Sequence, residues 1–217
     1  VSHDYPFCLP IFNQTRQIQF EFPVTFFVGE NGTGKSTLLE ALALASDIHI
    51  WRKCEVSYQA NRYEKQLYKH ITLEWANGKV PGSYFGSEIF NDFRNIVDSW
   101  AAADPGQLKY FGGKSLVAQS HGQSVMSYFR SRYKIRGIYF LDEPETALSP
   151  TSQLELLDVL RENGRAGHAQ FIIATHSPIL LTHEDAQIYS FDQCPVSELG
   201  YKDTAHYKIY KRVLLGD

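Results

Sequence analysis

Gly29, Gly32 and Gly34 fall within nine residues that end in Lys35, Ser36 and Thr37. Glycines so spaced let the backbone curl through left-handed conformations, and successive N–H groups then converge on one concave spot. Gly29-Glu30-Asn31-Gly32-Thr33-Gly34-Lys35-Ser36 satisfies G-x-x-x-x-G-K-[ST], the pattern of a phosphate-cradling loop. Lys35 is placed to reach β- and γ-phosphates, and the Ser36 hydroxyl to take a position on Mg²⁺. A triphosphate site of this kind also needs acid. Asp142 follows the apolar run Gly137-Ile138-Tyr139-Phe140-Leu141, at a strand end where ligands gather in open α/β sheets. A carboxylate there is suited to hold Mg²⁺ through its water shell, opposite Ser36. Glu143 comes next, and alternation along an extended strand is expected to turn the two carboxylates apart. That leaves Glu143 as general base or water-orienting group. His176, just beyond Gln170-Phe171-Ile172-Ile173-Ala174, is positioned to meet the γ-phosphate or to keep the water and Glu143 in register. The remaining histidines, His206 among them, read as structural.

The elements that must position these groups are visible in the patterning. Val24-Thr25-Phe26-Phe27-Val28 is a buried strand leading into the glycine loop, and an apolar helix from Ser36 to about Ser46 leads out of it. Gln17-Ile18-Gln19-Phe20-Glu21-Phe22 alternates with period two and predicts a half-exposed strand, as does Ile71-Thr72-Leu73-Glu74-Trp75. Pro81-Gly82 reads as a turn, and Asp92 to Trp100 as a helix. Thr151 to Leu160 predicts a helix with Leu154, Leu157 and Leu160 on one face, stopped by Asn163-Gly164 and Gly167. Strands follow at Gln170–Ala174 and Ile188–Phe191, then a basic, aromatic tail. Apolar strands alternating with helices indicate a mostly parallel sheet covered on both faces, an α/β fold.

At 217 residues and 43% hydrophobic content the chain suits one α/β domain with an ordinary core. No apolar run reaches the length of a membrane span. Three scattered cysteines form no metal-ligand spacing and fit a reducing, cytoplasmic setting. A net charge of −3 gives no overall basic footprint for nucleic acid. The basic and aromatic residues Trp51, Arg52, Lys53, Tyr58, Arg62, Tyr63, Lys65, Tyr68 and Lys69 leave a local patch open.

Several further short sequences complete an order. After Gly29 to Thr37 come Ser120-His121-Gly122-Gln123-Ser124, Ile138 to Glu143, Thr146-Ala147-Leu148-Ser149-Pro150 and Thr175-His176. Ser120 and Asp142 are 22 positions apart, and Glu143 and His176 are 33 apart. In this order and spacing the chain resembles an ABC-type ATPase, a P-loop nucleotide hydrolase, from about Thr25 to Leu181. The resemblance implies ATP and Mg²⁺ as cofactors and a head-to-tail homodimer that sandwiches two nucleotides. Ser120, Gly122 and Gln123 then stand for the signature loop, which completes the partner's site in trans. It implies a single ATPase domain over 1–217, with a helical signature-loop insert over about 86–132 and an antiparallel β portion.

The chain departs from the family pattern at three places. His121 replaces the usual glycine of the signature. Ser149 stands where transporter members carry aspartate. No glutamine marks the loop that senses γ-phosphate or magnesium, and Glu88 stands near its expected position as a metal-side substitute. Asp142-Glu143-Pro144-Glu145 with Leu148-Ser149-Pro150 resembles the soluble, non-transporter branch, which includes chromosome-maintenance and DNA-repair ATPases and many stand-alone bacterial ATPases. The alternatives are a transporter's nucleotide-binding subunit and a DNA-maintenance ATPase. For the latter, 85 positions between Lys35 and Ser120 leave no room for long coiled-coil arms. The adenine-stacking residue stays open among Tyr5, Phe7 and Phe12, and the protein partner is unidentified.

Overall fold

A computed structural model describes residues 4–51 and 66–216. The chain runs α1 (Pro10–Gln14), β1 (Val24–Val28), α2 (Lys35–Ala45), β2 (Gly82–Gly86), α3 (Phe90–Ala103), α4 (His121–Arg132), β3 (Gly137–Asp142), α5 (Pro150–Arg165), β4 (Ala169–Ala174), β5 (Ala186–Ser190), β6 (Ser197–Glu198) and α6 (Ala205–Leu215). One sheet of order β2-β3-β4-β1-β5-β6 gathers the strands. Every pairing is parallel except β5 with β6, where Tyr189 lies opposite Glu198.

Both faces of the sheet are covered, which is why its strands are apolar throughout rather than alternating. Phe26, Leu141, Tyr139, Phe171 and Ile188 point to the layer formed by α3, α4 and α5. Phe27, Phe140, Ile172 and Tyr189 point the other way, onto Leu38, Leu39 and Leu42 of α2. β1, flanked by β4 and β5, is buried along its whole length. It therefore holds the glycine loop at the centre of the sheet's C-terminal edge, with the ends of β2, β3, β4 and β5 beside it.

The two segments with period-two patterning are not strands. Residues 17–22 and 71–75 lie outside the sheet, although Ile18, Phe20, Ile71, Leu73 and Trp75 do turn inward onto the α2 layer. The alternation therefore reports a half-buried face and not a ladder. Side chains take the place of strand pairing: Tyr189 Oη donates to the Gln19 carbonyl at 2.8 Å, and Gln170 Nε2 to the Phe20 carbonyl at 3.0 Å. The antiparallel portion is accordingly confined to the β5–β6 pair among the described residues.

Other boundaries also differ from expectation. Gly82 opens β2 instead of closing a turn. Asn163 and Gly164 do not stop α5. Both are buried within it, and a Cβ on Gly164 would come within 3.0 Å of Pro23 Cβ, so glycine here permits close packing. The stop comes at Gly167, at φ +71°. Leu154 is 55% exposed, and Leu156 joins Leu157 and Leu160 on the buried stripe in its place. The tail folds into α6, which has no buried residue. Of the basic-aromatic patch, the stretch from Arg52 to Lys65 lies outside the described residues.

Candidate functional site

Gly34, at φ +102°, is the residue before α2 and provides no side chain to cap it. By contrast Ser120, Ser149 and Thr204 each accept a backbone N–H at the start of α4, α5 and α6. The first-turn N–H groups of α2, like those of α1 and α3, are thus left without a side-chain acceptor, at the positive end of the helix dipole. An L-residue at position 34 would be strained by its φ, and its Cβ would meet Phe12 Cζ at 2.9 Å. Gly32 has φ +80° and Gly29 φ +143°. Asn31 is exposed, while the Thr33 hydroxyl donates to the Glu30 carbonyl at 2.9 Å and closes the turn.

Lys35 is folded back over its own loop. Its Nζ donates to the Gly29 carbonyl at 2.6 Å and to the Glu30 carbonyl at 2.8 Å, spanning the concavity a phosphate would enter. Burial pushes its pKa down, opposed by the charges of Glu143, Asp192, Asp142 and Glu30. The loop is pinned from outside as well: the Glu30 N–H donates to Asp192 Oδ1 at 2.7 Å. Asp192 directly follows the strand predicted over Ile188–Phe191. The strand was legible in sequence, and a carboxylate at its end was the available signal.

Ser36 and Asp142 meet. The Ser36 hydroxyl donates to Asp142 Oδ1 at 2.8 Å, and Tyr84 Oη donates to Asp142 Oδ2 at 3.0 Å. Burial raises the Asp142 carboxyl, while these two bonds favour its charged form. Glu143 diverges from Asp142, but not by strand alternation. It has left the strand for the left-handed region at φ +44°. Its N–H donates to the Ala174 carbonyl at 2.9 Å, and its carbonyl accepts from the Ser87 hydroxyl at 2.7 Å and the Thr146 hydroxyl at 2.9 Å. A non-glycine residue held at positive φ by its surroundings is a feature that clusters at functional sites.

A cleft of about 500 Å³ opens beside these groups. Ser36, Thr37, Ser87, Glu88, Asp142 and Glu143 line its polar part, and Tyr5, Leu44, Leu67 and Tyr68 its apolar part. Glu88 follows β2 and is exposed to the cleft, so the strand pairing of β2 with β3 accounts for its place near Asp142. Of the three N-terminal aromatics, Tyr5 alone lines the cleft, with its hydroxyl bonded to the Thr37 hydroxyl. Phe12 packs under Gly34, and Phe7 sits edge-on to His70 with centroids 5.0 Å apart.

His176 lies on the far side of Glu143, its Nε2 3.9 Å from Glu143 Oε1, too long for a hydrogen bond. Burial, and then the Lys35 charge, push its pKa below the ordinary histidine value. Its backbone N–H donates to Glu145 Oε1 at 2.5 Å. His206, read from sequence as structural, packs on His176 with ring centroids 5.6 Å apart.

Ser120, Gly122 and Gln123 do not line this cleft. They open α4, where Ser120 and Gln123 form a reciprocal capping box, Ser120 N–H to Gln123 Oε1 at 3.2 Å and Gln123 N–H to Ser120 Oγ at 3.4 Å. The loop before them is anchored by Asp98 of α3, whose carboxylate accepts from the Leu116 N–H at 3.1 Å and the Val117 N–H at 3.3 Å. His121 turns inward to Phe90 and lies 3.3 Å from Arg94 Nη1, leaving Ser120 exposed. Ser149 has a local role: its hydroxyl caps α5 by accepting from the Ser152 N–H at 3.2 Å. Tyr84, Ser87, Glu145, Asp192 and His206 were not singled out from sequence for the site.

A mostly parallel sheet with a glycine loop after β1, and carboxylates after β3 and β5, is the arrangement of a P-loop fold. The comparisons narrow the class. Residues 106–182 match a family model described as "AAA domain, putative AbiEii toxin, Type IV TA system", and residues 9–47 match one described as "AAA domain". The petrobactin import ATP-binding protein FpuD of Bacillus anthracis is 25% identical over 205 residues, covering 80% of this chain and 73% of the relative. The thiamine import ATP-binding protein ThiQ of Ruegeria sp. (strain TM1040) is 27% identical over 165 residues, covering 70% and 69%. Among solved structures, cbiO1 from Clostridium perfringens, part of the ABC transporter complex cbiONQ, superposes with a TM-score of 0.50 at 18% identity, covering 91% of this chain and 86% of that one. The chain spans only 29% of an SmcHead bound to the C-winged helix domain of ScpA, with a TM-score of 0.33, 20% identity and 40% of this chain covered. Over most of its length the chain is thus similar in sequence to import ATP-binding proteins, and it shares the fold of an ABC transporter component. No helix among the described residues is long and apolar enough to cross a membrane.

Proposed function

We propose that this protein binds Mg²⁺·ATP in the cleft between α2 and the end of β3, and hydrolyses it only as a head-to-tail homodimer. The observation that carries the reading is that Ser36 and Thr37, which directly follow the glycine loop, line one cleft with Asp142 and Glu143, with Ser36 bonded to Asp142. One chain thus supplies the cradle, the metal-side oxygens and the base. The exposed Ser120, capping α4 on another face, supplies phosphate contacts to a second copy's site, together with Gly122 and Gln123.

The donor set fits magnesium: Ser36 Oγ and Asp142 Oδ1 are hard oxygens already in mutual contact, and Glu88 faces the same cleft. Bound there, the ion neutralises charge on the phosphate oxygens. Lys35 exchanges its two loop carbonyls for β- and γ-phosphate oxygens. Asn31, Gly32, Thr33 and Gly34 present backbone N–H groups, Thr37 contacts the α-phosphate side, and Tyr5 stacks the base. Glu143 takes the proton of the attacking water, and His176 holds that geometry.

Residues 1–217 act as one ATPase domain, cytoplasmic, with a helical signature insert over about 86–132. Two relatives are import ATP-binding proteins, which favours a transporter subunit as the second reading. Ser149 as a helix cap and Glu88 in place of glutamine favour the stand-alone branch, with hydrolysis driving an unidentified protein partner. A DNA-maintenance role requires salt-dependent duplex binding, which the net charge of −3 does not favour.

The test is complementation between inactive chains. Lys35→Ala and Ser120→Arg are each expected to lack turnover. Mixed, they form heterodimers with one intact composite site, and turnover returns. Absence of any rescue, with heterodimers verified by differential tagging, would refute the trans arrangement.

A further inference from the structure

We propose that His206, in the first turn of α6, is a second histidine of the nucleotide site: paired with His176, it receives the terminal phosphate of a nucleoside triphosphate. The inference rests on the cleft being a triphosphate site and adds a residue, an element and a proton to it. The two imidazoles pack with centroids 5.6 Å apart and planes at 51°. His176 Nε2 and His206 Nδ1 are both shielded from solvent and without a hydrogen-bond partner among the described residues. Shielded polar atoms are nearly always satisfied; unlike the orphaned nitrogens of His183, these two belong to neighbouring rings reached by the Lys35, Glu30 and Asp192 charges, which points to a partner that arrives from outside.

Three charges of the loop region reach both rings. His206 feels His176, Asp192, Lys35 and Glu30. His176 feels Lys35, Glu143, Glu30 and Asp192. These are the phosphate loop, the residue that pins it, the first turn of α2 and the carboxylate after β3. The charges of Lys35, Glu30 and Asp192 therefore reach His206 as they reach His176, although His206 lies 171 positions from Lys35 in sequence.

Core packing does not account for its position. No residue of α6 is buried, and Ile209, Val213, Leu214 and Leu215 are all exposed. The helix is fastened at its start: Thr204, itself buried, caps it by accepting from the Tyr207 N–H at 3.1 Å, and its hydroxyl donates to the Tyr201 carbonyl at 2.7 Å. Tyr207 then packs edge-on to Tyr201 with centroids 5.0 Å apart. That fastening sets His206 against His176 and leaves the rest of the helix to solvent.

A phosphate oxygen accepts hydrogen bonds and carries negative charge. Burial holds both imidazoles below the ordinary histidine pKa, so each is neutral near pH 7 with one donor and one acceptor nitrogen. A γ-phosphate beside the pair makes a proton on it favourable, and that proton is drawn from buffer on binding. Lys35 opposes the uptake, and Glu143, Glu30 and Asp192 favour it. A diphosphate, ending short of the pair, draws none.

The experiment is calorimetric titration of the full chain with ADP and with a non-hydrolysable ATP analogue, each with Mg²⁺, in two buffers of different ionisation enthalpy. The wild type is expected to prefer the triphosphate and to take up a proton with it alone. His206→Phe, which keeps the ring, is expected to cut that preference about tenfold, the order of one charge-assisted hydrogen bond, and to abolish the uptake while ADP affinity holds. His206→Gln, which keeps an N–H donor, is expected to retain most of the preference. A His206→Phe protein with wild-type preference and uptake overturns the inference alone. So does equal loss of both nucleotides in the two variants, which marks a structural role. A wild type that binds neither nucleotide overturns the triphosphate site itself, and this inference with it.

Discussion

Ser36 and Asp142, 106 positions apart in sequence, are joined by a hydrogen bond of 2.8 Å from the serine hydroxyl to Asp142 Oδ1. The contact links the first turn of α2 to the end of β3 and brings both oxygens proposed for the metal to one mouth of the cleft. The other Asp142 oxygen is held by Tyr84 Oη at 3.0 Å, from the neighbouring strand. Tyr84 is buried and its ring packs in the α2 layer, so Tyr84→Phe removes the hydroxyl and little else. Losing a partner that orients a metal ligand is expected to weaken Mg²⁺ dependence about tenfold. A magnesium titration of nucleotide binding checks this, and an unchanged midpoint removes Tyr84 from that role.

Glu143 is expected to show the stability cost of its own function. Its φ of +44° is sustained by bonds from Ser87 and Thr146 to its carbonyl, and such strain costs about 1–3 kcal/mol in a non-glycine residue. Glu143→Gln keeps the shape, removes the proposed base and is expected to cut turnover at least about 10²-fold while leaving ATP binding and an ATP-trapped dimer. Glu143→Gly relieves the strain and is expected to stabilise the nucleotide-free fold by about 1 kcal/mol, with turnover equally lost. Chemical denaturation and light scattering with ATP read the two outcomes. Wild-type turnover in the glutamine variant sinks the role given to Glu143.

The parts of the site legible in sequence are those set by backbone pattern. A glycine loop between an apolar strand and an apolar helix leaves few other foldings, and carboxylates at the ends of continuous apolar runs follow the same rule. What was illegible depends on which strands are neighbours. Tyr84 reaches Asp142 because β2 pairs with β3, and Asp192 reaches Glu30 because β5 pairs with β1. Neither adjacency is encoded locally. His206 depends on the docking of a helix with no apolar face turned inward, so periodicity gave no sign of it. The segments 17–22 and 71–75 failed in the opposite sense: their alternation was real, but it described burial against α2 and not strand pairing.

Glu145 couples the turn after Asp142 to the loop carrying His176. Its Oε1 accepts the His176 backbone N–H at 2.5 Å, and its Oε2 is shielded without a hydrogen-bond partner among the described residues. Burial raises its carboxyl despite the His176 N–H. Glu145→Gln retains the acceptor but loses its charge, and Glu145→Ala frees the His176 loop altogether. Turnover is expected to fall about tenfold in the alanine variant and less in the glutamine variant, since misplacement of a catalytic group is costly even when small. Nucleotide affinity is expected to hold in both. Single-turnover kinetics with separate binding measurements distinguish this from a loss of affinity, which would place Glu145 in nucleotide binding instead.

The fold's acid sensitivity is expected to reside partly in His183. It is buried, neither ring nitrogen has a hydrogen-bond partner among the described residues, and its ring stands edge-on to Phe26 with centroids 6.5 Å apart. Burial, and then the Arg161 charge, lower its pKa from the ordinary 6.5. Below about pH 6.5 the unfolded chain therefore takes up a proton that the folded chain refuses. Stability is full above that value and falls as pH drops through it, with a limiting slope of about 1.4 kcal/mol per pH unit for each such group. His176, His206 and His121 shift in the same direction, so the slope is shared. His183→Leu, similar in volume and unable to titrate, is expected to lose less Tm than the wild type between pH 7 and pH 5 while matching or exceeding it at pH 7. Thermal melts across that range decide the point. Parallel curves for the two proteins would show that His183 titrates alike in the folded and unfolded chain.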